Sequence, residues 1–161
     1  DYESIFECYL GAGNVIWLGK GIVGDDTHGH VDDITRFVNS NTVVTVVEPN
    51  KKDENHALLK DNVKRLKAAR DQDGKQLNIV ELPMPRPVVF EGQRLPASYA
   101  NFLICNKVVL VPVFNDVADK EALRILQECF PTREVVGIYA RDLVWGLGTI
   151  HCLTQQEPAR A

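Results

Sequence analysis

The residue with the clearest capacity for chemistry in this sequence is Cys152, because of the residues around it. It lies in Gly146–Pro158, a segment that contains two glycines, two threonines and two glutamines. A cysteine with flexible and polar neighbours is poor material for a hydrophobic core. Its thiolate is a strong nucleophile where nearby groups lower its pKa or supply a base or a cation. Cys152 is therefore the candidate nucleophile.

A second polar cluster, Gly24–Asp33, supplies the groups that a thiol nucleophile needs. His30 can move protons, and Asp32 can hold a cationic substrate. His151 is next to Cys152 in sequence, but in an extended chain it points the opposite way. We therefore expect folding to bring His30 to the thiol instead. A thiol, a histidine and a carboxylate together favour covalent hydrolysis of a guanidinium-type carbon.

The same cluster has an alternative interpretation as a zinc site. The pattern His28-x-His30-x-Asp32 resembles the first half of the zinc motif of metallo-β-lactamase-like hydrolases. In an extended segment all three side chains point to one side, which suits metal ligands. The motif continues with histidine where this sequence has Asp33, so the match is incomplete. For His28, a simple role in shaping the loop is the favoured interpretation.

Composition and charge exclude several classes of function. The net charge is -4, so there is no general attraction to nucleic acid or to an anionic membrane. No apolar run approaches the roughly 18 residues that a spanning helix needs. The four cysteines show no CxxC pair, and nothing else indicates secretion, so we expect a cytoplasmic protein. No nucleotide motif is present, and no cofactor or structural metal is expected.

The hydrophobic pattern predicts an α/β fold built from a repeated unit. Strands are predicted at 14–18, 34–38, 42–47, 77–82, 99–104, 108–113 and 135–139, and helices at 53–70 and 118–130. Two copies of a strand–strand–helix–strand unit align at an offset of 65 residues, with Phe37 matching Phe102 and Asn41 matching Asn106. Units of this kind bury their faces against neighbouring units.

Four segments together resemble the agmatine deiminase family, the bacterial peptidylarginine-deiminase-like branch of the guanidine-modifying enzymes. They are residues 26–33, 98–102, 130–136 and 146–158. The likeness covers nearly the whole chain. It implies a five-bladed ββαβ propeller with the active site on its central axis. That expectation agrees with the repeat found from the hydrophobic pattern.

The resemblance also implies roles for individual residues. Cys152 is similar to the nucleophile that attacks the guanidinium carbon and forms a covalent thiouronium. His30 is similar to the general acid that protonates the departing ammonia and then activates water. Asp32 is similar to a carboxylate that grips the guanidinium nitrogens. The implied reaction converts agmatine into N-carbamoylputrescine and ammonia without a cofactor. Free arginine and peptidyl-arginine are alternative substrates.

The resemblance further implies that residues 1–161 are the carboxy-terminal part of a single catalytic domain. Apolar residues follow Asp1 almost at once, and we expect a piece of a longer protein with about two complete units and flanking pieces. The second guanidinium-binding acid of the family has no motif match here. An inactive binding or assembly piece is therefore another alternative. The expected partner is a small cationic guanidino compound, and a homo-oligomer is compatible with the resemblance.

Overall fold

Two similar ββαβ units form the body of the chain. The computed structural model describes residues 1–26 and 29–157. Helix α1 (Tyr2–Leu10) precedes the first unit. In that unit, β1 (Thr35–Phe37) pairs antiparallel with β2 (Thr42–Val47), helix α2 (Asn55–Ala68) crosses over, and β3 (Asn78–Pro83) returns parallel to β2.

The second unit repeats this order. After a small hairpin of β4 (Val89–Phe90) and β5 (Gln93–Arg94), strand β6 (Leu103–Ile104) pairs antiparallel with β7 (Val108–Val113). Helix α3 (Asp119–Cys129) then leads to β8 (Glu134–Tyr139), which is parallel to β7. The mixed α/β fold and the order of the repeated unit are therefore as predicted.

The alignment of the two units differs from the predicted one by a residue. Their central strands begin at Thr42 and Val108, 66 residues apart, where an offset of 65 was predicted. Phe37 and Phe102, which the predicted alignment matches with each other, also differ in solvent exposure. Phe37 is 53% exposed, whereas Phe102 is fully buried. The predicted alignment pairs hydrophobic residue types, which do not fix the face on which a side chain lies.

The elements form for reasons visible in the sequence. Strand β2 is a run of β-branched residues, a composition that fits a buried parallel strand. Helix α2 buries Leu59, Val63 and Leu66, which recur at helical spacing. One continuous core includes buried side chains of both units, so the two units pack on each other. Among the described residues, no helix is long and apolar enough to cross a membrane.

One predicted strand is absent from the structure, and another is shorter than predicted. Residues 14–18 form no strand, although Ile16 and Leu18 pack against a small cluster around Val43 and Leu66. Burial of these side chains produces a strand-like pattern without a partner strand. The predicted strand at 99–104 is reduced to Leu103–Ile104. The preceding residues have no regular secondary structure, although they are buried. Their polar groups form hydrogen bonds with neighbouring loops rather than with a strand.

The four cysteines are all free. Cys8 and Cys152 are exposed, and Cys105 and Cys129 are partly buried. Cys105 directly follows β6 and Cys129 is the last residue of α3, and at both places the packing is incomplete.

Candidate active site

Cys152 lies in a tight turn rather than in an extended segment. Residues 150–153 form the turn, and the Leu153 N–H donates to the carbonyl oxygen of Thr149 at 3.3 Å. The turn brings Cys152 back against Gly148. A Cβ atom on Gly148 would lie 2.7 Å from the Cβ of Cys152 and 2.8 Å from its Sγ. Glycine is therefore required at this position for the thiol to occupy its place.

The side chain of Asn101 joins this turn to the rest of the site. Asn101 is fully buried. Its Oδ1 accepts hydrogen bonds from the backbone N–H groups of Thr149, His151 and Cys152 at 3.2, 3.1 and 3.3 Å, and from the Thr149 hydroxyl at 2.8 Å. Its Nδ2 donates to the Sγ of Cys152 at 3.0 Å and to Oδ2 of Asp32 at 3.1 Å. One amide thus fixes the turn, the thiol and a carboxylate.

Asp32 belongs to a short 3-10 helix, Val31–Asp33, that leads into β1. Its Oδ2 accepts from Nδ1 of His151 at 2.6 Å and lies 3.3 Å from the Sγ of Cys152. Partial burial alone would raise the pKa of Asp32, but the hydrogen bonds from His151 and Cys152 outweigh it and the pKa is lowered. The predicted nucleophile and the predicted carboxylate therefore lie in direct contact, and the carboxylate is ionised.

The next residue, Asp33, is in the opposite electrostatic state. It is 1% exposed, and neither carboxylate oxygen has a hydrogen-bond partner among residues 1–26 and 29–157. Burial, followed by the negative charges of Asp32 and Asp25, raises the pKa of Asp33 to about 8. The Asn101 amide counters this rise only in part. Asp33 is therefore a protonated acid at neutral pH.

His30 lies on an extended residue held by Asp25. The His30 N–H donates to Oδ2 of Asp25 at 2.5 Å, and Nδ1 of His30 lies 3.2 Å from Oδ1 of Asp25. The imidazole is about half exposed and the Asp25 carboxylate is buried. The preceding Gly29 has φ +111°, and a Cβ atom there would lie 2.6 Å from the backbone nitrogen of Gly21. The close approach of these two glycines fixes the position of His30.

The candidate catalytic groups form two adjoining clusters that share one residue. One side-chain oxygen or sulfur atom from each of Asp32, Asp33 and Cys152 lies within 4.8 Å of the other two. The same is true of one oxygen or nitrogen atom from each of Asp25, His30 and Asp33. The residue pattern predicted that folding would bring His30, Asp32 and Cys152 to one place. The structure brings Asp32 to Cys152 and sets His30 in the adjoining cluster, with Asp33 common to both.

The expectation that His151 points away from the site is wrong. It assumed an extended chain, whereas the turn at 150–153 directs the imidazole to Asp32, with Nδ1 2.6 Å from Oδ2. The imidazole is partly buried. Gly148, three residues before His151, is a break in regular structure that could have corrected the prediction.

Sequence reasoning also missed Arg36 and Asn101. The Arg36 guanidinium stacks 4.8 Å from the ring centroid of Phe102, and its Nη1 donates to the carbonyl oxygens of Ala100 and Phe102 at 3.2 and 2.8 Å. It therefore grips the backbone on both sides of Asn101. Burial lowers the pKa of Arg36, while the charges of the nearby site groups oppose that shift. Asn101 lies inside a segment that carries the family resemblance, but the hydrophobic pattern of its neighbours predicted a strand there.

The zinc interpretation finds limited geometric support. His28 lies outside the described residues. His30 has extended backbone but Asp32 is in a 3-10 helix, so the extended geometry on which the pattern depended is absent. In the described part of the chain, two groups of side chains could bind a metal ion, and His30 and Asp32 belong to different groups.

The fold and the site together define the class of protein. A mixed α/β fold of repeated units carries a thiol against a carboxylate, and the family model described as Porphyromonas-type peptidyl-arginine deiminase matches residues 1–158. The chain belongs to this family. A curated relative from Marinomonas sp., described as "Putative agmatine deiminase", is 37% identical over 177 residues, with 99% of this chain and 48% of the relative covered.

Solved structures agree with this assignment. The agmatine deiminase of Enterococcus faecalis is 34% identical, with a TM-score of 0.93 over 99% of this chain and 48% of that one. A cysteine-to-serine variant of the agmatine deiminase of C. jejuni, solved with substrate bound, is 30% identical, with a TM-score of 0.86 over 93% of this chain and 44% of that one. The chain spans about half the length of the curated relatives it matches.

Proposed function

We propose that the protein hydrolyses the guanidinium group of agmatine, giving N-carbamoylputrescine and ammonia. The observation that carries the proposal is the 3.3 Å contact between the Sγ of Cys152 and the carboxylate of Asp32. A carboxylate beside a nucleophile attracts a planar cation by charge-assisted hydrogen bonds and sets its carbon against the sulfur. The names of the relatives support agmatine as the substrate.

In the first half of the reaction, the Cys152 thiolate attacks the guanidinium carbon and forms a C–S bond. His30, as an imidazolium, gives a proton to one nitrogen, and the C–N bond breaks to release ammonia. The product on the protein is a covalent thiouronium. Asp32 holds the remaining nitrogens through this change. Placed proton transfer of this kind contributes about 10²–10⁴-fold to a rate.

In the second half, His30 is neutral and accepts a proton from water as its oxygen attacks the thiouronium carbon. The C–S bond then breaks, the thiolate of Cys152 is restored, and the remaining proton of the water passes to solvent as the carbon leaves as the neutral ureido product. That proton and the released ammonia together make one ammonium ion. His30 ends protonated, ready for the next cycle. The contact of His30 with buried Asp25 supports this role, because a carboxylate partner orients an imidazole and stabilises its cation.

The electrostatics of the free protein place a condition on this chemistry. Partial burial raises the pKa of the Cys152 thiol, and the Asp32 carboxylate raises it further, so the free thiol is mainly protonated at neutral pH. A bound guanidinium cation would offset that charge and lower the thiol pKa. The substrate then promotes formation of its own nucleophile.

The test is ammonia release from agmatine by the protein at its natural length, with Cys152→Ala as the matched variant. We expect release from the first and background from the second, and a covalent adduct on Cys152 by mass spectrometry after acid quenching. No ammonia from a folded preparation would support the inactive alternative. Stoichiometric zinc, with activity abolished by chelation, would instead support the metal-dependent alternative.

Substrate choice within the family is tested by the same assay. We expect agmatine to give a higher kcat/KM than free arginine or a peptide with internal arginine. The opposite order would move the proposal to arginine or peptidyl-arginine deimination while leaving the roles of Cys152, His30 and Asp32 intact.

We also propose that residues 1–161 are part of one five-bladed ββαβ propeller, with the two observed units as two of its blades. The repeated unit order and the shared core support this arrangement. A crystal structure at natural length with any other number of blades would overturn it. The four free cysteines support a reducing, cytoplasmic location.

A further inference from the structure

Asn101 connects the proposed nucleophile with the proposed substrate-binding carboxylate through a single buried side chain. Burying an amide costs free energy unless its polar atoms are satisfied. Here Oδ1 receives four hydrogen bonds, all from Thr149, His151 and Cys152. The two protons on Nδ2 have two acceptors, the Sγ of Cys152 and Oδ2 of Asp32.

The orientation of this amide is dictated by the backbone. The N–H groups of Thr149, His151 and Cys152 can only donate, so the atom that faces them must be the carbonyl oxygen. The –NH2 group of Asn101 is then forced to face the sulfur and the Asp32 carboxylate. A flipped amide would set a nitrogen against three N–H donors and leave the sulfur without this donor.

We propose that Asn101 is a positioning residue for the proposed reaction, whose Oδ1 holds the Cys152 turn in its reactive shape and whose Nδ2 stabilises the thiolate. The inference rests on the proposed role of Cys152 as nucleophile. It adds a residue that precedes β6 of the second ββαβ unit to a site whose histidine and carboxylate lie just before β1 of the first. Arg36 supports this arrangement, since it bonds to the carbonyl oxygens of Ala100 and Phe102 on either side of Asn101.

The charges around the sulfur explain why such a donor is needed. Partial burial raises the pKa of the Cys152 thiol, and the Asp32 carboxylate beside the sulfur raises it again. The hydrogen bond from Asn101 acts in the opposite direction. The thiol proton can be directed to Asp32, and the amide remains to hold the sulfur after that proton has left.

The chain offers a matched control in Asn62. This asparagine is also fully buried and also bridges two backbone groups, accepting from the Gly19 N–H at 2.7 Å and donating to the Lys20 carbonyl oxygen at 2.9 Å. Its partners are backbone groups of a segment that contributes neither the thiol nor Asp32. Substitution of Asn62 therefore shows the effect of losing a buried structural amide alone.

The experiment measures the rate of Cys152 alkylation by iodoacetamide against pH, quantified by mass spectrometry of the peptide that carries Cys152. Asn101→Asp keeps an acceptor for the turn and replaces the –NH2 donor by a carboxylate oxygen. We expect its alkylation profile to move to higher pH and kcat/KM to fall about 10- to 100-fold, mostly in kcat, since a hydrogen bond to a charged group is lost. Asn62→Asp is expected to leave the alkylation profile of Cys152 in place.

An unchanged profile in Asn101→Asp, or an equal change in Asn62→Asp, would overturn the inference. If Asn101→Asp does not fold, Thr149→Val decides, because it removes only the hydroxyl donor that helps orient the amide. A smaller move of the profile to higher pH is expected there, and no move would contradict the inference. The alkylation assay needs no substrate, so a protein that releases no ammonia from agmatine defeats the proposed function without deciding the role of Asn101.

Discussion

The two ββαβ units share a topology, but the segments that lead into them have different properties. The first leading segment, Val31–Phe37, carries Asp32, Asp33 and Arg36, whereas the second leading segment, Ser98–Ile104, carries no charged residue. The two segments bond to each other. The Ser98 hydroxyl donates to the Asp33 carbonyl oxygen at 2.8 Å, and Asn101 donates to the Asp32 carboxylate.

The difference shows how a repeated fold can produce one asymmetric site. In the proposed function, the charged leading segment provides the groups that bind the cationic substrate, and the neutral segment provides a buried support for them. A second pair of carboxylates in place of the neutral segment would add repulsion beside an acid, Asp33, that already has a raised pKa. Because the charged groups lie on one leading segment and the supporting groups lie on the other, this repulsion is avoided.

The largest expected effect comes from removing charge at the first leading segment. Asp32→Asn should lower kcat/KM for agmatine about 10³-fold, equivalent to about 4 kcal/mol, because the guanidinium loses its charged partner and His151 loses its acceptor. Steady-state kinetics checks this. Asp119→Asn is the control, since that carboxylate accepts from the Tyr99 hydroxyl in the second unit. We expect it to change stability but to alter kcat/KM less than 2-fold, about 0.4 kcal/mol; similar losses in both variants would erase the distinction between the leading segments.

The next effect concerns the arginine that ties the two leading segments together. Arg36→Gln should lower the free energy of unfolding by about 3 kcal/mol, because it breaks two backbone hydrogen bonds and leaves the partly buried Asp32 carboxylate without this nearby cation. Urea denaturation measures this. Arg133 stacks 6.0 Å from Phe130 and donates to the Cys105 carbonyl oxygen in the second unit, so Arg133→Gln is the comparison. Its expected cost is about 1 kcal/mol, and an equal cost would mean that the charges near Arg36 contribute little.

Asp33→Asn tests the protonated acid. A carboxyl whose pKa rises to about 8 on folding keeps a proton that the unfolded chain loses above about pH 4, so it lowers stability increasingly as pH rises between those values. Asparagine removes this penalty, and we expect a gain in the free energy of unfolding that is absent near pH 4 and grows as the pH rises toward 8. Thermal unfolding as a function of pH measures it. Asp73→Asn, at an exposed carboxylate, should show no such pH-dependent gain.

The smallest expected effect lies in the turn that both leading segments support. Gly148→Ala would place a methyl group against Cys152 and should displace the sulfur, lowering kcat/KM about 10-fold, or about 1.4 kcal/mol. At Gly146 a Cβ atom would meet no atom within 4 Å, so Gly146→Ala is the matched control. Activity that falls equally in both variants would point to flexibility of the glycine segment rather than to the position of the thiol.

The regular elements could be predicted from sequence because local patterns determine them. Strands β2 and β7 occupy the predicted residues, and α2 and α3 differ from prediction by one to a few residues at their ends. The nucleophile and carboxylate were named from residue type and resemblance, and their contact agrees with that choice. The predicted direction of His151 is wrong and Asn101 is not predicted at all, because their positions depend on a turn and on a buried irregular segment. Hydrophobic periodicity carries no information about such segments.

The hydrogen bonds to Asn101 Oδ1 have a consequence for the dynamics of the chain. Cys152 is exposed at its side chain, yet its amide proton and those of Thr149 and His151 all point at one buried oxygen. Amide hydrogen exchange should therefore be slow in this turn, as in the sheets, although Cys152 is an exposed residue. In the proposed reaction, the substrate would then approach a nucleophile whose backbone opens only rarely.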